Sequence, residues 1–214
     1  MLNRLMSVFR AFSMAMVNRL ARRSPARTVI ETDIQRWILM NNPLLRDASL
    51  EKKLEWLLFV DHMEEFRNLF YYRLGLPSSA FDRFLLKLVK KTFLPRQTIH
   101  LSSPSIGAGL VIKHGVLMVI EAEQIGENCL IFQEAVIGCK NDDDDLPTLG
   151  NYVHVSVGAK VLGRVTIGDH AVIAANTVVT KDMPPNSLAV GVPARIIKNA
   201  GNRAEYIAAG LIPE

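Results

Sequence analysis

Residues 149–179 read LGNYVHVSVGAKVLGRVTIGDHAVIAANTVV, and an aliphatic side chain returns at every sixth place: Leu149, Val155, Val161, Ile167, Ile173 and Val179. Ile125, Ile131 and Ile137 keep the same phase across a gap of twelve. Upstream, Ile106 and Ile112 are spaced alike, and a one-residue slip carries the series to Val119. Gly follows the aliphatic at 107, 126, 138, 150 and 168. Two positions before the aliphatic stand small or β-branched residues: Cys129, Ala135, Val153, Ala159, Val165, Ala171 and Thr177. A period of six matches neither the 3.6 of a helix nor the 2 of a flat strand. It matches a three-sided β-solenoid with one short strand per face and a tight turn at each corner. The aliphatic and small residues are predicted to point into the prism, with glycine serving corners that need positive φ.

The chain has 214 residues, enough to bury a sizeable core, and its 49% hydrophobic and 21% charged residues are ordinary for a globular protein. The net charge of +4 is unevenly placed, because residues 1–27 hold six Arg and no acid. Cys129 falls on an inward slot and Cys139 on an outward one, so no disulfide framework is expected and a reducing compartment is indicated. No apolar run reaches the eighteen or more residues that span a bilayer. Arg10 interrupts any signal-peptide core, and Arg19, Arg22 and Arg23 crowd its end. The expected location is the cytoplasm.

Outward from the solenoid, residues 1–98 read as a helical cap, 99–182 as the solenoid and 183–214 as a C-terminal tail, an α+β chain. Residues 2–22 form an amphipathic helix, with Leu2, Leu5, Met6, Phe9, Phe12, Met16 and Leu20 at helical spacing. That helix is either a core or oligomer helix or one lying on an anionic membrane surface, a peripheral contact through residues 1–23 at the inner membrane. No nucleic-acid-binding motif accompanies its charge. A second helix is expected from Thr32 as N-cap to before Asn42-Pro43, a third over about Ser49–Arg73, and a fourth over about Ser79–Phe93. The cap covers the strand edges and apolar cross-section that a first coil exposes.

The stretches IGAGLVIKHG (106–115), IGENCLIFQEAVIG (125–138), VGAKVLGRVTIGDHAVIAANTVV (157–179) and PPNSLAVGVPARII (184–197) together resemble the hexapeptide-repeat acyltransferases, and are most similar to their serine acetyltransferase branch. The resemblance implies a left-handed parallel β-helix assembled as a homotrimer, which can pair into a dimer of trimers through the helical domains. It also implies acetyl-CoA as the acetyl donor, held in the groove between neighbouring subunits, with no metal. Because a filled prism has no interior room, function must sit on its outer faces.

Acyl transfer from a thioester to a hydroxyl needs a base and a place for the oxyanion. A neutral imidazole can take the hydroxyl proton during attack and return it to the departing thiolate. His114 aligns with the family's catalytic histidine; on spacing alone it could equally be a surface histidine. The resemblance places Gly138 and Cys139 beside the thioester as oxyanion donors. It assigns acetyl-CoA to Ser156, Val157, Lys160, Ala174, Arg195 and Lys198, the cations suiting the nucleotide phosphates or being plain surface charge. Gln133 is expected to line the cleft beside the base.

Three departures from true serine acetyltransferases stand out. Lys113 replaces the acid before the catalytic histidine, Leu146 replaces the histidine of a His-Pro pair, and no acid near Thr98 orients the imidazole. Glu121, or a neighbouring subunit, is expected to take that orienting role. Lys140–Asp145 breaks the repeat and must bulge out as a loop, either solvated or forming a rim to the acceptor site. With the amino-acid pocket altered, the sequence reading favours O-acetylation of a sugar in a surface or capsular polysaccharide or its precursor. Serine O-acetylation for cysteine synthesis is the alternative, and a non-catalytic trimeric scaffold the third reading.

Overall fold

In a computed structural model of the protein, residues 2–60, 62–141 and 144–208 are described. The chain forms two compact units, Met1–Arg96 and Gln97–Glu214. The first is helical: α1 (Leu2–Arg23), α2 (Arg27–Asn41), a single 3-10 turn (Pro43–Leu45), α3 (Leu50–Phe59), α4 (Glu64–Leu74) and α5 (Ala80–Thr92). Ser49 and Ser79 cap α3 and α5, their hydroxyl oxygens accepting from the amides of Lys52 and Asp82. Trp37 meets Phe66 edge to face with centroids 5.4 Å apart. A buried ion pair, Arg73 to Asp33 at 2.8 Å, ties α4 to α2.

Two helix expectations need correction. The helix expected to start at Thr32 starts at Arg27, and the Thr32 hydroxyl donates to the Thr28 carbonyl at 3.1 Å, an interior bond instead of a cap. The single helix expected over 49–73 is two. Val60 turns extended after Phe59, and α4 begins afresh with Glu64 and Glu65 in its first turn, where the helix dipole favours them. Arg67 spans the break by donating to the Leu58 carbonyl at 2.8 Å, satisfying an orphan acceptor at the end of α3. The apolar stripe of α1 is only partly covered: Met16 and Leu20 are buried, whereas Met6, Phe9 and Phe12 are exposed.

The second unit is a triangular parallel solenoid. Face A carries β1 (Ile99–Leu101), β3 (Met118–Ile120), β6 (Val136–Gly138), β9 (Lys160–Leu162) and β12 (Val178–Val179). Face B carries β4 (Gln124–Ile125), β7 (Thr148–Leu149) and β10 (Thr166–Ile167). Face C carries β2 (Val111–Lys113), β5 (Leu130–Phe132), β8 (His154–Val155), β11 (Val172–Ile173), β13 (Ser187–Val190) and β14 (Arg195–Lys198). Stacked partners lie eighteen residues apart where the repeat is unbroken, as in Leu149↔Ile167, Val155↔Ile173 and Val161↔Val179. They lie twenty-four apart for Ile125↔Leu149, Ile131↔Val155 and Ile137↔Val161. One whole hexapeptide therefore leaves the prism between β6 and β7, where the acidic loop stands; Asp142 and Asp143 fall outside the described residues.

Three details differ from the sequence reading. Ile120, not Val119, fills the inward slot and pairs with Ile137, so the slip in the first coil is two residues. At 107, 126, 150 and 168 the glycine after the aliphatic is set by coil-to-coil approach and not by positive φ. A Cβ on Gly126 would lie 2.5 Å from the Gly150 carbonyl carbon. Left-handed corner positions include Asn128, Tyr152, His170 and Asn186. The residues after Pro184-Pro185 form an antiparallel hairpin, β13 against β14, that extends face C; α6 (Arg203–Ala208) follows.

Candidate active site

The corner joining β2 to β3 is the irregular one. Eight positions separate the inward Ile112 from Ile120, where six separate Ile131 from Ile137 and Val155 from Val161. Below it, each corner bends through one left-handed residue: Glu134 at φ 60°, Gly158 at 68° and Asn176 at 54°. The enlarged corner has two, His114 at 53° and Leu117 at 50°. Backbone bonds stack Val116, Gln133 and Val157, whose carbonyls accept from the amides of Glu134, Gly158 and Asn176. His114 is thus carried on the extra residues, outside the stacked corner. It is exposed, and its ring makes no hydrogen bond among the described residues. The Thr98 hydroxyl donates to the Gly115 carbonyl at 3.2 Å and holds the enlarged corner in place.

Several site candidates share this edge between faces C and A. Gln133 lies on the next coil at the same corner, and its buried Oε1 has no hydrogen-bond partner. Ser156 and Ala174 occupy successive places in one outward row of face C, their amides donating to Ile173 and Ala189. Val157 follows Ser156 at the corner, and Arg195 ends the row opposite Val190. Lys160 begins β9 just past the corner, but its ammonium donates to the carbonyls of Glu134 and Gly158, each at 2.8 Å. Lys198 pairs with Ser187 at the other end of β14; both tail cations are exposed.

The remaining candidates lie on the far edge of face A. Glu121 follows β3, directly above Gly138, and makes no hydrogen bond to His114. A Cβ on Gly138 would meet nothing within 4 Å, so this face is open, and Cys139 beyond it is exposed. One chain therefore carries the base edge and the Gly138 edge on opposite sides of face A. The enlarged corner was readable only as the eight-residue spacing from Ile112 to Ile120. Among the described residues no group of three His, Cys, Asp or Glu could hold a metal ion.

His154, at the start of β8, sits against Phe132 with ring centroids 5.2 Å apart. Burial pushes its pKa down, and the charge of Glu205 partly opposes that shift. His170 stacks on Tyr152 at 4.7 Å and shares a 3.2 Å hydrogen bond with Asn202, which donates to the Tyr152 carbonyl. Both histidines have structural partners that His114 lacks.

Residues 147–181 match the family model described as bacterial transferase hexapeptide (six repeats). The solenoid is the left-handed β-helix of the hexapeptide-repeat transferases. Within that class the chain is 45% identical over 95 residues to the serine acetyltransferase of Helicobacter pylori strain J99, covering 43% of this chain and 56% of that protein. It is 38% identical over 146 residues to the serine acetyltransferase of Synechocystis sp., covering 67% of this chain and 57% of that protein. The chain spans about half the length of the curated relatives it matches. The fold is shared with soybean serine acetyltransferase complexed with serine (TM-score 0.62, 23% identity, 88% of this chain and 83% of that one). It is likewise shared with the Neisseria gonorrhoeae serine acetyltransferase in complex with serine (TM-score 0.59, 22% identity, 86% and 83%). These relatives overturn the expectation of a sugar acceptor and of a role in polysaccharide synthesis, since the proteins the chain resembles are serine acetyltransferases.

Proposed function

We propose that the protein is an acetyl-CoA-dependent serine O-acetyltransferase working as a homotrimer, with His114 as general base. The serine hydroxyl hydrogen-bonds to the His114 ring and attacks the thioester carbonyl while the imidazole takes its proton. The tetrahedral intermediate places its negative oxygen toward the amides of Gly138 and Cys139. Collapse breaks the carbon–sulfur bond, and the coenzyme A thiolate takes the proton back from the imidazolium. Ser156, Val157 and Ala174 line the path of the donor, and Arg195 and Lys198 offer cations to its phosphates.

A trimer reconciles this chemistry with the placement of residues. The His114 edge and the Gly138 edge are on opposite sides of face A, so the Gly138 edge of a neighbouring copy can close on the His114 edge of the first. The group that orients the ring then comes from across that groove, as the ring has no hydrogen-bond partner among the described residues. What carries the choice of acceptor is the 45% identity to a serine acetyltransferase over 95 residues. The test is product identification after incubation with acetyl-CoA and L-serine. Mass spectrometry should find O-acetylserine in step with free thiol. Thiol release that is no faster with serine than without it overturns the reading.

A further inference from the structure

We propose that the outer face of α1 and α5 docks the protein onto an anionic phospholipid surface. The helical unit is strongly cationic: residues 1–96 hold 17 Lys and Arg against 9 Asp and Glu, whereas residues 97–214 hold 8 against 12. The charge concentrates on these two helices, which pack along each other and carry nine Lys and Arg against a single acid, Asp82. Their arginines are largely neutralised inside the unit. Arg10 pairs with Glu55, Arg22 with Glu51, and Arg19 and Arg23 with Asp82. Lys87 and Lys91 are different, being exposed and without an ion pair among the described residues.

The same face holds side chains that water does not favour. Val8 and Phe12 are one turn apart on α1, and Phe81 and Phe84 one turn apart on α5; all four are more than half exposed. The Arg19 guanidinium lies over the Phe81 ring at 5.2 Å, joining the two rows into one surface. Exposed aromatics beside uncompensated cations match the boundary between phospholipid headgroups and acyl chains. A contact between two copies through this face fits less well. Two-fold symmetry would set Lys87 and Lys91 against a like-charged patch, and like-charge juxtaposition opposes association. No described helix is long and apolar enough to cross a membrane, so the contact is peripheral.

The test sediments the full-length protein with vesicles of phosphatidylcholine alone and with about one third phosphatidylglycerol. The wild type should pellet with the anionic vesicles only, and salt should release it. Phe12→Glu with Phe84→Glu, and separately Lys87→Glu with Lys91→Glu, should each raise the half-saturating lipid concentration about tenfold or more. Circular dichroism of these surface variants should match the wild type. Equal pelleting with both vesicle types overturns the proposal, as do variants that bind like the wild type. So does a wild type that ignores vesicles while Phe12→Glu with Phe84→Glu splits its assembly, which assigns the face to a second copy. None of these readouts depends on acetyl transfer.

Discussion

Lys160 donates its ammonium to the main-chain carbonyl of Glu134 at 2.8 Å and to that of Gly158 at 2.8 Å, tying two stacked corners together. Glu134 is in the left-handed region, so the bond holds a turn that an acidic residue adopts at some cost. Lys160→Met should therefore lower stability by about 1.5 to 3 kcal/mol, the range for hydrogen bonds that involve a charged group. Denaturant titration measures it. A variant that keeps full stability but binds acetyl-CoA much more weakly would return Lys160 to the nucleotide.

Gly126 and Gly138 both follow a repeat aliphatic, yet they should respond oppositely to alanine. At Gly126 the new methyl would meet the Gly150 carbonyl at 2.5 Å, backbone against backbone. Gly126→Ala should cost at least about 2 kcal/mol. At Gly138 nothing stands within 4 Å, so Gly138→Ala should stay within about 0.5 kcal/mol of the parent. If the thioester lies there, that well-folded variant should still lose turnover. Thermal melts and initial rates on the pair decide the matter.

In the helical unit, Asp33 and Arg73 are both buried, and removing one leaves the other charge uncompensated. Asp33→Ala should destabilise by about 3 to 5 kcal/mol. Replacing both by apolar residues of similar volume should recover much of that loss, read from denaturation midpoints of the single and double variants.

His154 supplies the pH dependence. Burial lowers its folded pKa below the ordinary 6.5, so the unfolded chain binds the extra proton more readily. Its contribution is fully present above that ordinary value and is lost as pH falls through the lower folded pKa. The melting temperature should therefore drop on acidification below about 6.5, and less so in His154→Phe, which keeps the ring against Phe132. An identical acid slope in the variant would remove His154 as the cause.

The period of six was enough to read the prism from Leu149 to Val179, because each inward slot there repeats without insertion. It failed in the first coil, where the slip is two residues instead of one and the inward place falls on Ile120, not Val119, a difference hidden by two adjacent β-branched residues. The glycine signal was legible but its cause was not, since coil-to-coil distance is a tertiary quantity. The same is true of α3 and α4, where a continuous apolar stripe concealed the break after Phe59. His114 was picked out by its motif, while its position outside the stacked corner follows from the spacing of Ile112 and Ile120. Lys113 and Leu146 point away from an amino-acid acceptor in the sequence, a signal that the serine acetyltransferase relatives outweigh.

The most direct measurement compares wild type and His114→Ala for the rate of free-thiol appearance from acetyl-CoA under saturating L-serine. A serine-dependent rate is expected in the wild type and a fall of about 10²- to 10⁴-fold in the variant, with the fold and acetyl-CoA affinity retained. A variant that turns over serine as fast as the wild type would contradict it.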